Sequence, residues 1–251
     1  MLDRLSVVIA AKTPPLEQFL LCLTSFAALA NASKLQVIVV KSGDLPELPA
    51  SLVAGFAEFK LVDVPPEGVY AAYNVGCDHA VGSYTLFFGA DDIALPGMDS
   101  LIDQVLLKDD TYALVAAPCF MQSSGLSKPS RRRTSLIFAN WCHQGLFYQT
   151  SYLKEHRYQG DLYRIQADHK MNIDIVSNRA HRVFVSDLLV AYFCAGGVSS
   201  VKPDLQFRAD FPAIVGRAYG RHWGWLVRLK QIVIDLVKGP PERRFESTYR
   251  R

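Results

Sequence analysis

Asp91 and Asp92 stand side by side behind an apolar run in "LFFGADDIALPG", residues 86–97. Adjacent carboxylates repel, and they gain little unless something positive lies between them. A divalent cation carrying a diphosphate is such a group. Mg²⁺ or Mn²⁺ takes one or two protein carboxylates and completes its shell with phosphate and water oxygens. The plainer alternative is an acid that caps the following helix while its neighbour stays in water.

The elements around the pair decide where it stands. "RLSVVIAA" reads as a strand buried on both faces, broken by Pro14 and Pro15, and "LEQFLLCLTSFAALA" follows with helical spacing. "LQVIVVKSG" and "FKLVDVPP" read as the second and third strands, "GVYAAYNVGCDHAVG" as a helix closed by Gly82, and "YTLFFGADD" as the fourth strand. Strand and helix alternating at these lengths predict an α/β fold, with a parallel sheet joined by helical crossovers. Ligands of such sheets bind beyond the carboxyl ends of the strands, which is where Asp91 and Asp92 fall. "MDSLIDQVLLK" reads as an amphipathic helix, "YALVAAPCF" as one more strand and "MQSSGLSKPSRRRTS" as a loop. A helix is expected from about Gln166, and "HRVFVSDLLVAYFCAGGVSS" gives strand and then a glycine loop.

Composition sets the limits. The chain has 251 residues, half of them apolar and a fifth charged, which suits one substantial core. A net charge of +3 is too small to argue for nucleic acid. From Arg217 onward there are nine Lys and Arg against three Asp and Glu, so the tail carries +6 and the remainder −3. That points either to an anionic surface nearby or to a solvated terminus. The five cysteines are scattered with no CxxC pair, as expected for reduced, mostly buried thiols. "MLDRLSVVIAAKTPP" lacks the features of a signal peptide, and no run reaches the ~18 apolar residues of a membrane span. The expected location is the cytoplasm.

Over about residues 5–200 the chain resembles, in order, the inverting nucleotide-sugar-dependent glycosyltransferases of family two. "LSVVIAAKTPPLEQFLLCLTSF" resembles their opening strand and helix, and "EGVYAAYNVGCDHAVGSYTLFFGADDIALPG" is similar to the stretch leading into their acidic metal motif. "HQGLFYQTSYLKEHRYQGDLYRIQADHKMNI" and "AYFCAGGVSS" look like their second half and its end. The resemblance implies a GT-A fold, a Rossmann-like, mainly parallel central sheet flanked by helices, here with a C-terminal helical tail. Residues 1–115 would form the nucleotide-sugar-binding half and 116–205 the acceptor and catalytic-base half of one domain, with 206–251 as a basic amphipathic tail.

Residue by residue, the resemblance makes Asp91 and Asp92 the DXD-type motif. Asp92 would meet Mg²⁺ or Mn²⁺, and Asp91 the ribose or the metal. Asp168 in "QADHK" matches the family's general base, the alternative being a helix N-terminal carboxylate facing the macrodipole. Ala10, Lys12, Ser42 and Asn74 would line the nucleotide-sugar site. Lys12 could reach a phosphate or simply be exposed, and Asn74 could instead cap a helix or bond in the core. Ser42 stands where the family has an aspartate, and Ala71 where it has an acid. His143 and Gln144 match an "HQ" pair near the active site, with a buried, backbone-bonded histidine as the alternative. Gly196 and Gly197 would let a loop fold over the donor, or merely turn the chain. Arg131 to Arg133 could meet acceptor phosphates or form a charged surface loop.

In "HWGWLVRLKQIVIDLVKG", Trp225, Leu226, Leu229, Val233, Leu236 and Val237 share one helical face, with basic residues around them. Residues 222–238 could lie at a membrane interface, pack on the protein itself, or meet a second copy in a homo-oligomer. The expected activity is inverting transfer of a sugar from a nucleotide diphosphate sugar to a glycan or lipid-linked hydroxyl acceptor. Surface polysaccharide or glycolipid assembly at the inner face of the membrane is the setting that fits. A relative that binds nucleotide or glycan without turnover is the alternative.

Overall fold

Leu5–Ala11 is apolar and rich in β-branched residues, and in the computed structural model, which describes residues 4–194 and 203–239, it forms strand β1, buried except at Ala10. Its crossover helix α1 (Leu16–Ala27) buries Phe19, Cys22, Leu23 and Phe26 against the sheet. Phe26 meets Phe88 edge-on at 4.9 Å. Truncating a buried aromatic of this kind costs about 3–5 kcal/mol.

The same logic repeats along the chain. Strand β2 (Leu35–Lys41) is followed by the short helix α2 (Ala50–Val53), and β3 (Glu58–Asp63) by α3 (Val69–His79). Strand β4 (Tyr84–Gly89) then runs into the two acids. Strands β5 (Ile93–Ala94), β6 (Tyr112–Ala116), β7 (Cys119–Met121), β8 (Gly125–Ser127), β9 (Leu146–Gln149), β10 (Arg182–Val185) and β11 (Ala191–Phe193) complete two sheets. The larger has the order β10-β6-β9-β4-β1-β2-β3 and the smaller β5-β11-β7-β8. Pairing of β4, β1, β2 and β3 is parallel throughout, so their carboxyl ends share one edge. At the opposite edge, buried Ser6 donates to Gln36 Oε1 at 2.7 Å and accepts from the Gly82 amide at 2.9 Å, which satisfies polar groups that would otherwise be costly to bury.

Four local readings differ from the structure. Helix α3 ends at His79, short of Gly82. "YALVAAPCF" is split around Pro118 into β6 and β7, which belong to different sheets. The start of the Ser- and Arg-rich segment is a β7–β8 hairpin, and Arg133–Ile137 forms a 3₁₀ turn. Strand β9, unforeseen, inserts antiparallel between β4 and β6. The "MDSLIDQVLLK" helix is present as α4 (Gly97–Leu101) continuing into a π-helical turn, Ile102–Leu106.

The described residues form two compact units. The first holds 4–131, 141–158 and 180–194, with both sheets and a short helix, α5 (Thr150–Glu155); the second holds 132–140, 159–179 and 203–239. Each of these units is discontinuous in sequence. The second is helical: α6 (Ala167–Ser177), α7 (Leu205–Tyr219) and α8 (Arg221–Lys238). Pro212 inside α7 has no N–H and so leaves the Arg208 carbonyl without its helical donor. Gln231 Nε2 supplies one from α8 at 2.8 Å, and Arg208 also grips Asp235 with contacts of 2.6 and 2.7 Å. Among the described residues no helix is long and apolar enough to cross a membrane. All five cysteines are free thiols, with Cys22, Cys77 and Cys119 buried.

Candidate active site

The two acids at the end of β4 have different surroundings. Asp92 is 1% exposed, while Asp91 is half-buried. Asp92 Oδ2 accepts from Gln144 Nε2 at 2.7 Å and from the Gly89 amide at 3.1 Å. Its Oδ1 accepts from the Cys194 amide at 2.9 Å. One carboxylate thus joins the ends of β4 and β11 to the "HQG" turn. Burial pushes the Asp92 pKa up to about 6 and Asp91 adds to the rise, while the three donors oppose it. A Cβ on Gly89 would lie 2.6 Å from Asp92 Oδ2 and 2.8 Å from Asp91 Oδ1, so both carboxylates fold back over a position that glycine leaves open. Cys22 closes the floor: its thiol donates to the Gly89 carbonyl at 3.4 Å, and burial raises its pKa well above the ordinary value.

The neighbouring strand ends gather at the same edge. Ala10 is in register with Gly89 on one side and Val40 on the other. Lys12 is exposed just beyond β1, and the Ser42 amide donates to the Ala11 carbonyl at 3.0 Å. Between them Thr13 adopts φ +44°, an uncommon left-handed setting for a β-branched residue and a mark of local constraint. Sheet topology therefore brings Ala10, Lys12, Ser42, Asp91 and Asp92 to one edge, with Gln144 joined to Asp92.

Asn74 and His143 both make contacts within the first unit. Half-buried Asn74 clamps Tyr158, donating to its carbonyl at 2.9 Å and accepting from its amide at 3.0 Å. His143 stacks on Tyr73 with ring centroids 5.3 Å apart and also borders Phe87, Tyr148 and Tyr158. Arg131 pairs with Asp187 at 3.0 Å, and Arg133 donates to the Val176 and Asn178 carbonyls at the end of α6. Gly196 and Gly197 lie outside the described residues.

One feature of the first unit was not foreseen. Ile93, Tyr192, Phe120 and Leu126 are successive cross-strand partners on one face of the smaller sheet. The Phe120 and Tyr192 rings stack at 5.8 Å with 12° between their planes, and Phe120 is 41% exposed. The row begins beside Asp92 in sequence and includes Tyr192, two residues before Cys194. Alternation across "CFM" and "AYF" carries the signal, but the runs are too short to pair from sequence alone.

In the second unit, Asp168 sits in the first turn of α6, 7% exposed, where the helix dipole favours an anion. Asn140 Nδ2 donates to its Oδ2 at 2.7 Å, and Asn172 donates to Asn140 Oδ1 at 2.9 Å. His169 lies with its ring near those of Phe207 and Phe211, and its Nε2 is 2.8 Å from the Leu136 carbonyl. Burial lowers the His169 pKa, favouring the neutral ring.

Among the described residues no three His, Cys, Asp or Glu side chains converge as a metal cage. The donor set suits a different arrangement. Half-buried Asp91, braced beside a carboxylate already held by three donors, fits a Mg²⁺ or Mn²⁺ ion that arrives with most of its oxygens from a diphosphate and water.

Comparison with known proteins converges on one family. The model described as Glycosyl transferase family 2 matches residues 6–184. PGL/p-HBAD biosynthesis glycosyltransferases of Mycobacterium bovis and Mycobacterium tuberculosis are 32% identical over 151 residues, which cover 58% of this chain and 59% of theirs. The chain therefore spans about three fifths of the length of these relatives. TarS 1–349 of S. aureus matches with a TM-score of 0.63 at 16% identity, over 88% of this chain and 68% of that one. Its complex with UDP-GlcNAc gives 0.60 at 16% identity, over 88% and 69%. The mannosyltransferase PcManGT of Pyrobaculum calidifontis, in complex with GDP-Man and Mn²⁺, gives 0.60 at 17% identity, over 96% and 77%. These structural likenesses show a GT-A fold, and the family match over most of its length shows that the chain belongs to glycosyl transferase family 2.

Proposed function

We propose that this protein transfers a sugar from a nucleotide diphosphate donor to a hydroxyl acceptor with inversion at the anomeric carbon. The observation that carries the proposal is the Asp91–Asp92 pair at the carboxyl end of β4, with Asp92 fixed by Gln144, Gly89 and Cys194. In this reading Asp91 faces the donor's diphosphate, and Asp92 holds the turn that presents it. Lys12 and the backbone around Ser42 border the nucleotide. When bound, Mg²⁺ or Mn²⁺ supplies positive charge against the departing diphosphate. Asp168 takes the acceptor's hydroxyl proton as its oxygen bonds to the anomeric carbon and the bond to the diphosphate breaks. Asn140, itself held by Asn172, keeps the Asp168 carboxylate oriented. The exposed Phe120 ring, stacked on half-buried Tyr192, offers apolar surface to a glycan acceptor.

TarS bound to UDP-GlcNAc and PcManGT bound to GDP-Man and Mn²⁺ support a nucleotide-sugar donor and a divalent ion. The names of the mycobacterial relatives support a glycoconjugate setting, and within it we propose a lipid-linked acceptor at the inner face of a membrane. Ser42, in place of an aspartate, favours the second reading of a binding protein without turnover. One experiment separates the two. Uridine and guanosine diphosphate sugars are screened for a rise in melting temperature with Mn²⁺ and with EDTA, since a ligand of the folded state stabilises it. Donors that bind are then offered hydroxyl acceptors, and the product's anomeric configuration is read by NMR. Metal-dependent binding and an inverted product support the transferase. Binding with no transfer to any acceptor favours the second reading, and a retained configuration overturns inversion.

A further inference from the structure

Helix α8 is held by one side only. Gly224 and Val227 are buried, and Trp223 packs with Ile137, Val215 and Phe211 in the second unit's small core. A Cβ on Gly224 would lie 2.5 Å from the Pro212 carbonyl oxygen and 2.9 Å from the Gly216 Cα, so α7 and α8 meet at backbone distance. The opposite side carries Trp225, Leu226, Leu229, Val233, Leu236 and Val237, one stripe at 3.6 residues per turn. Among the described residues nothing covers it: Trp225 is 65% exposed, Val237 76% and Leu236 81%.

Charge indicates what covers it. Arg221 and Arg228 border the stripe along one side and Lys230 along the other, all exposed, with Lys238 at the helix end. The only acid of α8, Asp235, is tied to Arg208 by two contacts of 2.6 and 2.7 Å. The outward side is therefore an apolar stripe edged by cations. A helix of this length, about 27 Å, placed flat on a bilayer would set its stripe at the acyl boundary and its basic residues among the headgroups.

We infer that α8 docks the protein, in the plane of the interface, onto an anionic phospholipid surface. A second copy of the chain is disfavoured as occupant, because two such faces would bring like charges together. The inference deepens the reading of a lipid-linked acceptor, but its test uses neither donor nor acceptor, so either can fail without the other.

The full chain is sedimented with vesicles of phosphatidylcholine alone and of phosphatidylcholine mixed with phosphatidylglycerol. Binding to the mixed vesicles at low salt, with release at high salt, is expected. The double variant Arg228→Gln, Lys230→Gln should bind roughly thirtyfold more weakly, as about 1 kcal/mol is lost per basic residue. Trp225→Ser with Leu236→Ser should also weaken binding, and circular dichroism should match the wild type because both side chains are exposed. Failure of the intact chain to bind mixed vesicles, or unchanged binding of the charge variant, would overturn the inference. So would a stable dimer that the Trp225→Ser, Leu236→Ser variant dissociates, since the stripe would then belong to a second copy.

Discussion

Asp92 and Asp168 are both nearly removed from water, at 1% and 7% exposure, and they are held in opposite ways. Asp92 caps the end of a strand, and its oxygens are taken by two backbone amides and the Gln144 side chain. Asp168 opens a helix, with the macrodipole behind it and Asn140 on one oxygen. The first arrangement raises the carboxyl pKa because burial outweighs the donors. Such an acid suits fixing a turn, with its half-buried neighbour Asp91 left to meet a ligand. The second places a carboxylate where the N-terminal end of the helix dipole favours a negative charge. Position in the fold gives two identical side chains different surroundings, consistent with the proposed roles of a brace at Asp92 and a base at Asp168.

The most severe way to probe this contrast is at Asp168. Asp168→Asn should lower sugar transfer by roughly 10²-fold or more while donor affinity holds, the usual scale for loss of a general base. Wild-type turnover in that variant would remove Asp168 from the chemistry.

Titration comes next. A carboxyl raised from 3.8 to about 6 contributes stability that is full below its unfolded pKa and lost as pH rises through about 6. In EDTA, wild type should therefore lose up to about 3 kcal/mol relative to Asp92→Asn between pH 4 and about 7. His169, lowered by burial, works in the other direction, losing its contribution as pH falls below 6.5. Parallel pH curves for wild type and Asp92→Asn would mean that Asp92 is not the strained acid. Gln144→Ala should destabilise the fold by about 1–3 kcal/mol, the range for stranding a buried polar partner, and an unchanged denaturant midpoint would contradict the brace. Asp91→Asn should leave stability nearly untouched but weaken nucleotide diphosphate binding in Mn²⁺ by about tenfold or more, or ~1.4 kcal/mol; calorimetry showing equal affinity would deny its role. The smallest effect is expected for Phe120→Ala, a rise of a few-fold in acceptor KM at unchanged kcat, or ~1 kcal/mol.

The strand-rich half was legible because its strands are long, apolar and separated by helix-period segments. β1, β2 and β4 are such runs, and their carboxyl edge follows from parallel connectivity. Strand β9 was not legible: "LFYQ" is short, and its place between β4 and β6 depends on partners distant in sequence. The same reason hid the Cys194 amide beneath Asp92, and the row from Ile93 to Leu126. At Asp92 the residue type was informative and its burial was not, because adjacent acids look equivalent until the turn is folded. At Asn74 the residue type said nothing of its partner: both ends of its amide bond to Tyr158, 84 positions away. The covering of α8 was the remaining ambiguity, since periodicity gives a stripe but not the side from which it is buried.

The backbone contact at Gly224 also governs how the protein behaves in a tube. A helix seated by glycine against a carbonyl cannot roll about its axis, because every neighbouring position would drive a side chain into the Pro212 carbonyl. The stripe therefore cannot be hidden by a small rearrangement when no surface is offered. Purified without lipid, the protein should show a solubility ceiling that depends on concentration. Mild detergent or small bilayer discs should lift that ceiling without altering secondary structure, whereas added salt should lower it by screening the flanking cations that keep copies apart.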